Sequence, residues 1–336
     1  MTGRAVVKTE RWLRPLSLAR LSMATLAGNV AIVVTGGAVR LTGSGLGCPT
    51  WPRCTQESFV PHGELGLHGA IEFGNRMMTF VLAAIAIATW AAAMRHRPGQ
   101  RSVRVLATVL ALGIPGQAVI GGITVLTDLN PWVVSMHLML SMAMIALSVL
   151  LVWQVRSGPH TSGSRVRPGL RRLVTGIVAM VFVVLYLGTV VTGSGPHAGH
   201  LEPQDVAGDT VVVVRNGIDP QVISHVHAGA VYLLVALTVA TVVALHRLGG
   251  PADVRRAAWT LLGVEAGQAA VGFTQYYLDL PVLLVGLHLL GAALLTASAT
   301  WLLASTRGVV PDPAPAGLRQ RVSSGSIATA RKSSAR

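Results

Sequence analysis

Eight stretches of this chain, roughly 16–39, 68–94, 102–126, 132–155, 172–193, 223–245, 255–277 and 282–304, stay predominantly apolar for about twenty residues or more. A helix rises about 1.5 Å per residue, so each is long enough to cross a hydrocarbon core of about 30 Å. Only 12% of the residues are charged, whereas a soluble domain carries about 25%. The pattern predicts an all-α integral membrane protein with eight transmembrane helices. The first run is too long for the core of a signal peptide and no small-residue cleavage site stands out, so it is expected to be retained.

The net charge of +14 raises the question of a nucleic-acid partner, and its distribution answers against one. Of the 27 Lys and Arg, 23 fall within 1–20, 95–104, 156–172, 247–256 or the tail, leaving Arg40, Arg53, Arg76 and Arg215 near the other side. This is the positive-inside bias, and it places both termini in the cytoplasm of a multi-pass plasma-membrane protein. Residues 1–15 read as a basic lead-in, and 305–336, rich in Pro, Ser, Ala and Arg, as a disordered tail.

The two halves echo one another. GQAVIGG at 116–122 matches GQAAVGF at 267–273, and His137 matches His288, both at an offset of 151, while TGSG recurs at 42–45 and 192–195. An even number of spans per half gives both the same orientation. The expected architecture is two parallel-repeated four-helix bundles, 16–155 and 172–304, joined by a cytoplasmic linker at 156–171.

Most of the eleven histidines need no special role. His96, His160 and His246 lie in inner connections, His62, His197 and His200 in outer loops, and His225 at a span boundary. His137, His227 and His288 differ: each sits inside an even-numbered span near its outer end, where an ionisable side chain is a candidate for function. Neutral imidazole is a usual ligand of heme iron; zinc would want four ligands close together. The second span opens with His68, Glu72, Asn75 and Arg76 on one helix face, which predicts a face turned into the bundle. Glu72 and Arg76, four residues apart, read either as a structural latch or as a site for proton handling. In the outer loop 40–67, Cys48 and Cys54 face a disulfide-permissive compartment, and a staple, a redox-labile pair and a two-cysteine metal site stay open.

The run Arg40, Thr42, Ser44, Gly45, Leu46, Cys48, Pro49, Trp51, Pro52, Cys54 resembles the first outer loop of the heme A synthase family, and the histidine-bearing spans are similar as well. The resemblance implies oxidation of a methyl group of heme O stepwise to the formyl group of heme A. It implies that His227 and His288 hold a heme b cofactor in the C-terminal half and that His137 holds substrate heme O in the N-terminal half. It further implies a catalytic Glu72 with Arg76, a Cys48–Cys54 pair in the loop, and a heme O synthase and a terminal oxidase as assembly partners. Arg40 and Arg76 are expected near heme propionates. Where the family carries Glu-x-x-His-Arg, this chain has Glu72-Phe73-Gly74-Asn75-Arg76. With Asn75 in the place of a histidine, His137 is expected to be the sole protein ligand on that side. His68, about 10 Å earlier along the helix, is the alternative.

Two rival classes remain. A diheme b-type electron carrier linked to quinol wants two bis-histidine irons, and only three well-placed histidines are present. A transporter wants polar residues at the bilayer midplane, whereas the polar cluster here lies at the outer ends.

Overall fold

The computed structural model describes residues 17–96, 100–157, 160–196, 204–206, 209–211 and 215–309. The basic lead-in 1–15, His197, His200 and the tail beyond residue 309 lie outside them. Among the described residues eight long helices make the fold: α1 (Leu18–Leu41), α2 (Gly66–His96), α3 (Arg101–Leu126), α4 (Pro131–Ser157), α5 (Pro168–Ser194), α6 (Pro220–Arg247), α7 (Ala252–Tyr277) and α8 (Val282–Ser305). Seven are long and apolar enough to cross a membrane. The exception is α7, which is long enough at 26 residues but carries Asp253, Arg255, Arg256, Glu265, Gln268 and Gln275.

Local chemistry sets the helix ends. Pro168 and Pro220 stand at the first turn of α5 and α6, where a missing N–H costs nothing. Asp219 caps α6 by accepting from the amides of Gln221 and Val222. Because Pro168 is pre-set for a helical start, α5 begins ahead of the expected 172 and takes in Arg171 and Arg172.

The α3–α4 and α7–α8 turns share one backbone form. Asp128 and Leu129 both have positive φ (51° and 57°), as do Asp279 and Leu280 (55° and 59°). Each turn is closed by the amide of its Leu donating 2.8 Å to a carbonyl five residues back, Thr124 in one and Gln275 in the other. All three pairings recur at an offset of 151.

Packing follows the sequence halves. Helix α1 packs on α2 and α4, and α3 on α2 and α4; α5 packs on α6 and α8, and α7 on α6 and α8. Helices α1 and α4 also meet α8, and α4 meets α5. One buried cluster, with Leu110, Leu151 and Ala93, knits α1 to α4; a larger one, with Ile177, Leu234, Leu261 and Leu302, fills the second set and reaches Met142 and Ile145 of α4.

The linker and the start of the tail are ordered together. Strand β1 (His160–Ser164) pairs antiparallel with β4 (Arg307–Val309), while β2 (Gln204–Val206) and β3 (Asp209–Val211) form a hairpin in the outer connection. Arg165 forks onto both carboxylate oxygens of Asp253 at 2.5 and 3.0 Å. Residues 305–309, placed in the tail by composition, end α8 and form β4, because pairing with β1 satisfies their backbone groups.

Candidate functional site

The outer loop is built onto the first two turns of α2. Cys48 and Cys54 form a disulfide and are both fully buried. Glu72 is 5% exposed. One of its oxygens accepts from the Cys48 amide at 2.7 Å, the other from Arg76 Nε at 3.1 Å and Nη2 at 2.5 Å. Arg76 spends its remaining donors on the loop carbonyls of Cys48, Thr50 and Arg53 at 3.0 to 3.1 Å. A buried carboxylate and its guanidinium therefore satisfy each other and four backbone groups of the loop, which is the latch geometry. Glu72 and Arg76 read as catalytic from the sequence; every polar contact recorded for them here is to each other or to the loop.

Trp51, which precedes a cis peptide bond to Pro52, lays its indole on Gly122 of α3, where any side chain would collide with it. His68 Nδ1 lies 3.0 Å from Ser44 Oγ, so this histidine is tied into the loop. Arg40 ends α1, half-buried at the foot of the same loop.

Below the loop lies a recurring arrangement of a side chain against a glycine of the neighbouring helix. His137 on α4 faces Gly121 on α3, His288 on α8 faces Gly272 on α7, and His227 on α6 faces Gly188 on α5. In all three a Cβ on the glycine would stand 3.3 Å from the ring Cε1, tighter than ordinary van der Waals contact. The fourth member is Asn75 on α2 against Gly36 on α1, with the amide nitrogen 3.9 Å from such a Cβ. His137 and Gly121 recur as His288 and Gly272 at an offset of 151; Asn75 and Gly36 recur as His227 and Gly188 at 152. Each set of four helices thus has two such seats. One set is filled by two imidazoles, the other by an imidazole and a carboxamide.

The three imidazoles share another feature. Nδ1 of His137, His227 and His288 is buried with no partner in hydrogen-bond geometry, although the Val184 carbonyl lies close to His227. His227 and His288 stand on α6 and α8, which both pack on α5 and α7. Each of the three rings lies against a helix of its own four-helix set. Asn75 is fixed differently, its Oδ1 accepting from Thr35 Oγ1 of α1 at 2.7 Å.

The structure brings Glu72, Arg76, Cys48, Cys54 and His68 into one loop network and seats His137, His227 and His288 alike. Missed from the sequence were the glycine seats themselves. Gly121 and Gly272 are visible in the sequence as part of the repeated GQ motif, but nothing in the motif pairs them with the histidines. The carboxamides of that motif differ between the halves: Gln268 Nε2 donates to the His288 carbonyl at 3.1 Å, while both polar atoms of Gln117 are buried without a partner. In α7, Glu265 is 3% exposed, with Oε1 accepting from Thr238 at 2.7 Å and Oε2 unpartnered.

Comparison with known proteins places this arrangement. The family model described as cytochrome oxidase assembly protein matches residues 19–68 and 66–300. Heme A synthase of Sinorhizobium fredii is 29% identical over 342 residues, covering 87% of this chain and 89% of its own length. That of Methylorubrum extorquens is 27% identical over 338 residues, 86% of each chain. The match to heme A synthase of Bacillus pumilus, 27% over 185 residues, takes in 52% of this chain and 58% of that protein's length. With the family model spanning nearly all of α1 to α8, the chain belongs to the heme A synthase family of cytochrome oxidase assembly proteins.

Proposed function

We propose that this protein is a heme A synthase, an oxidoreductase that converts a methyl group of substrate heme O, through the alcohol, to the formyl group of heme A. The observation that carries this reading is the set of seats at the outer ends of the helices, with two imidazoles in one half and one imidazole with a carboxamide in the other. In this reading all eight helices span the plasma membrane as two parallel-repeated four-helix bundles, both termini are cytoplasmic, and the seats lie toward the outer face. The shared offset of the α3–α4 and α7–α8 turns and of the glycine seats supports the repeat.

His227 and His288 hold heme b in the C-terminal half. They fit that group: each is neutral-imidazole chemistry set against a glycine of the adjoining helix, each has a buried nitrogen without a partner among the described residues, and they stand on α6 and α8, the two helices that both pack on α5 and α7. Bound there, heme b supplies one-electron transfer. In the N-terminal half His137 is the one imidazole presented to substrate, and Asn75, anchored through its oxygen by Thr35, presents its NH2 group on the facing helix. His68 is occupied by Ser44 two turns higher. The resulting asymmetry, one imidazole rather than two, suits a site where a coordination position must open.

Glu72 and Arg76 act on substrate in this reading by docking the disulfide loop, so that Trp51 closes the outer end of α3 beside the His137 seat. Glu72 is the buried carboxylate positioned to take a proton there, and Arg40 the cation for a propionate. A heme O synthase delivers the substrate, and a terminal oxidase consumes the product.

The test is expression in a host that makes heme O, followed by pigment extraction. Wild type is expected to yield heme A together with protein-bound heme b. His137→Ala is expected to lose heme A and keep heme b; His288→Ala is expected to lose heme b. Two equal low-spin b hemes in wild type with no heme A would overturn the reading in favour of an electron carrier.

A further inference from the structure

The repeated GQ motif places a glutamine one turn deeper than each histidine seat, Gln117 below Gly121 in α3 and Gln268 below Gly272 in α7. The two carboxamides behave differently. Gln268 lies flat across Gly291 of α8, so close that any side chain at 291 would collide with its Oε1. From there it donates to the His288 carbonyl. The residue 151 positions earlier than Gly291 is Leu140, so the N-terminal half lacks the bare stretch of helix that Gln268 lies against. The carbonyl that Gln117 would reach, that of His137, accepts instead from Ser141 Oγ at 2.9 Å; at 292, the equivalent of Ser141, the chain has Ala. The halves differ at both positions, and Gln117 makes no bond like that of Gln268. The donor and the acceptor of Gln117 are left buried and without a partner among the described residues.

A buried carboxamide with both ends unmet is costly unless something else meets them. Gln117 sits about 6 Å along the helix from Gly121. That is one turn from the imidazole that would face the iron, toward the periphery of a macrocycle rather than its centre. A hydroxyl both donates and accepts, and so matches both unmet ends.

We infer that Gln117 is a substrate-positioning residue that hydrogen-bonds the oxygenated substituent formed on the porphyrin edge, retaining the alcohol until it is oxidised to the formyl. This rests on the proposed function. It separates a methyl, which offers no hydrogen bond, from the alcohol and formyl, which do.

The test compares wild type with Gln117→Leu, with Gln117→Met as a volume-keeping second variant, and with Leu140→Gly/Ser141→Ala, which recreates the C-terminal arrangement. Two readouts are taken: the ratio of hydroxymethyl to formyl pigment extracted from cells, and the affinity of purified protein for heme A against heme O. All three variants are expected to raise the alcohol-to-formyl ratio. They should weaken heme A binding roughly three- to tenfold, the worth of one ordinary hydrogen bond, with heme O binding unchanged and heme b retained. An unchanged ratio and unchanged affinities in Gln117→Met would overturn the inference. Equal loss of heme A and heme O binding would also overturn it, marking Gln117 as a packing residue. Wild type that binds no heme O at all would instead bring down the functional reading, and with it this one.

Discussion

The two sets of four helices hold the same seats and fill them differently. At each seat a glycine brings a side chain of the next helix flush with backbone; in α5–α8 both side chains are imidazoles, in α1–α4 one of the two is Asn75. Above the seats the contrast widens. The N-terminal half carries a disulfide loop locked by Glu72 and Arg76, whereas the positions 152 residues on are Ser224 and Ala228, which cannot form such a lock. Deeper, the polarity reverses: Glu265 and Thr238 correspond to Ile114 and Ala86, both buried and apolar. A duplicated scaffold has kept its backbone geometry and exchanged its polar groups. Under the proposed function, that exchange fits one half to a cofactor and the other to a substrate.

The lock is where the halves differ most, and breaking it should have the largest effect. Arg76→Leu leaves Glu72 buried and unpaired and frees the loop carbonyls. A cost of about 3–5 kcal/mol is expected, read as a shift in SDS-induced unfolding of the N-terminal half, with heme b still bound in the C-terminal half. Glu72→Gln keeps an acceptor for the Cys48 amide, so its loss of stability should be clearly smaller. If Glu72→Gln nevertheless abolishes heme A formation, proton handling is separated from the latch; if it leaves turnover intact, the carboxylate is a latch alone.

The seats come next. Gly272→Val and Gly121→Val insert atoms where even a Cβ is 3.3 Å from the imidazole, and overpacking of this kind costs about 1–3 kcal/mol. The first is expected to lower heme b content and the second heme A formation, each leaving the other half's pigment in place. Loss of both pigments from either substitution would mean that the halves are not independent. Asn75→His sharpens the same comparison from the other side. It installs the residue found at 227, and it is expected to convert the substrate site to a six-coordinate, low-spin optical spectrum.

Much of this was legible in the chain itself. The long helices and the placing of the histidines on them follow from hydropathy and a repeat, which are local or periodic signals. Expected span limits such as 68–94 and 132–155 differ from α2 and α4 by a turn or less, mainly because polar residues at the membrane boundary continue the helix. What could not be read were relations between helices. That Gly188 seats His227, that Trp51 lies on Gly122, or that Gln268 lies against Gly291, depends on which faces meet across an interface. Glu72 is the instructive case: as an intramembrane carboxylate beside an arginine it looks like chemistry, and only the loop folding back over α2 shows that the backbone of Cys48 is its partner.

The smallest expected effect probes the deep end of the comparison. Thr238 gives its hydroxyl to Glu265, whose other oxygen is unmet, so Thr238→Val leaves the whole carboxyl buried without a partner while keeping the volume nearly constant. Stranding a buried polar group costs about 1–3 kcal/mol. The double change Thr238→Ala/Glu265→Ile imports the pair found at 86 and 114 and removes the polar group altogether. It should recover much of that loss, since well-packed apolar residues replace buried polar pairs at little net cost. Stability by SDS titration reports the first difference, and the heme b optical spectrum and midpoint potential report whether Glu265 matters to the cofactor. A double variant that is stable but shifted in potential would make this carboxyl part of the C-terminal half's electron chemistry. One that is stable and unshifted would leave it as a packing variant between the two repeats.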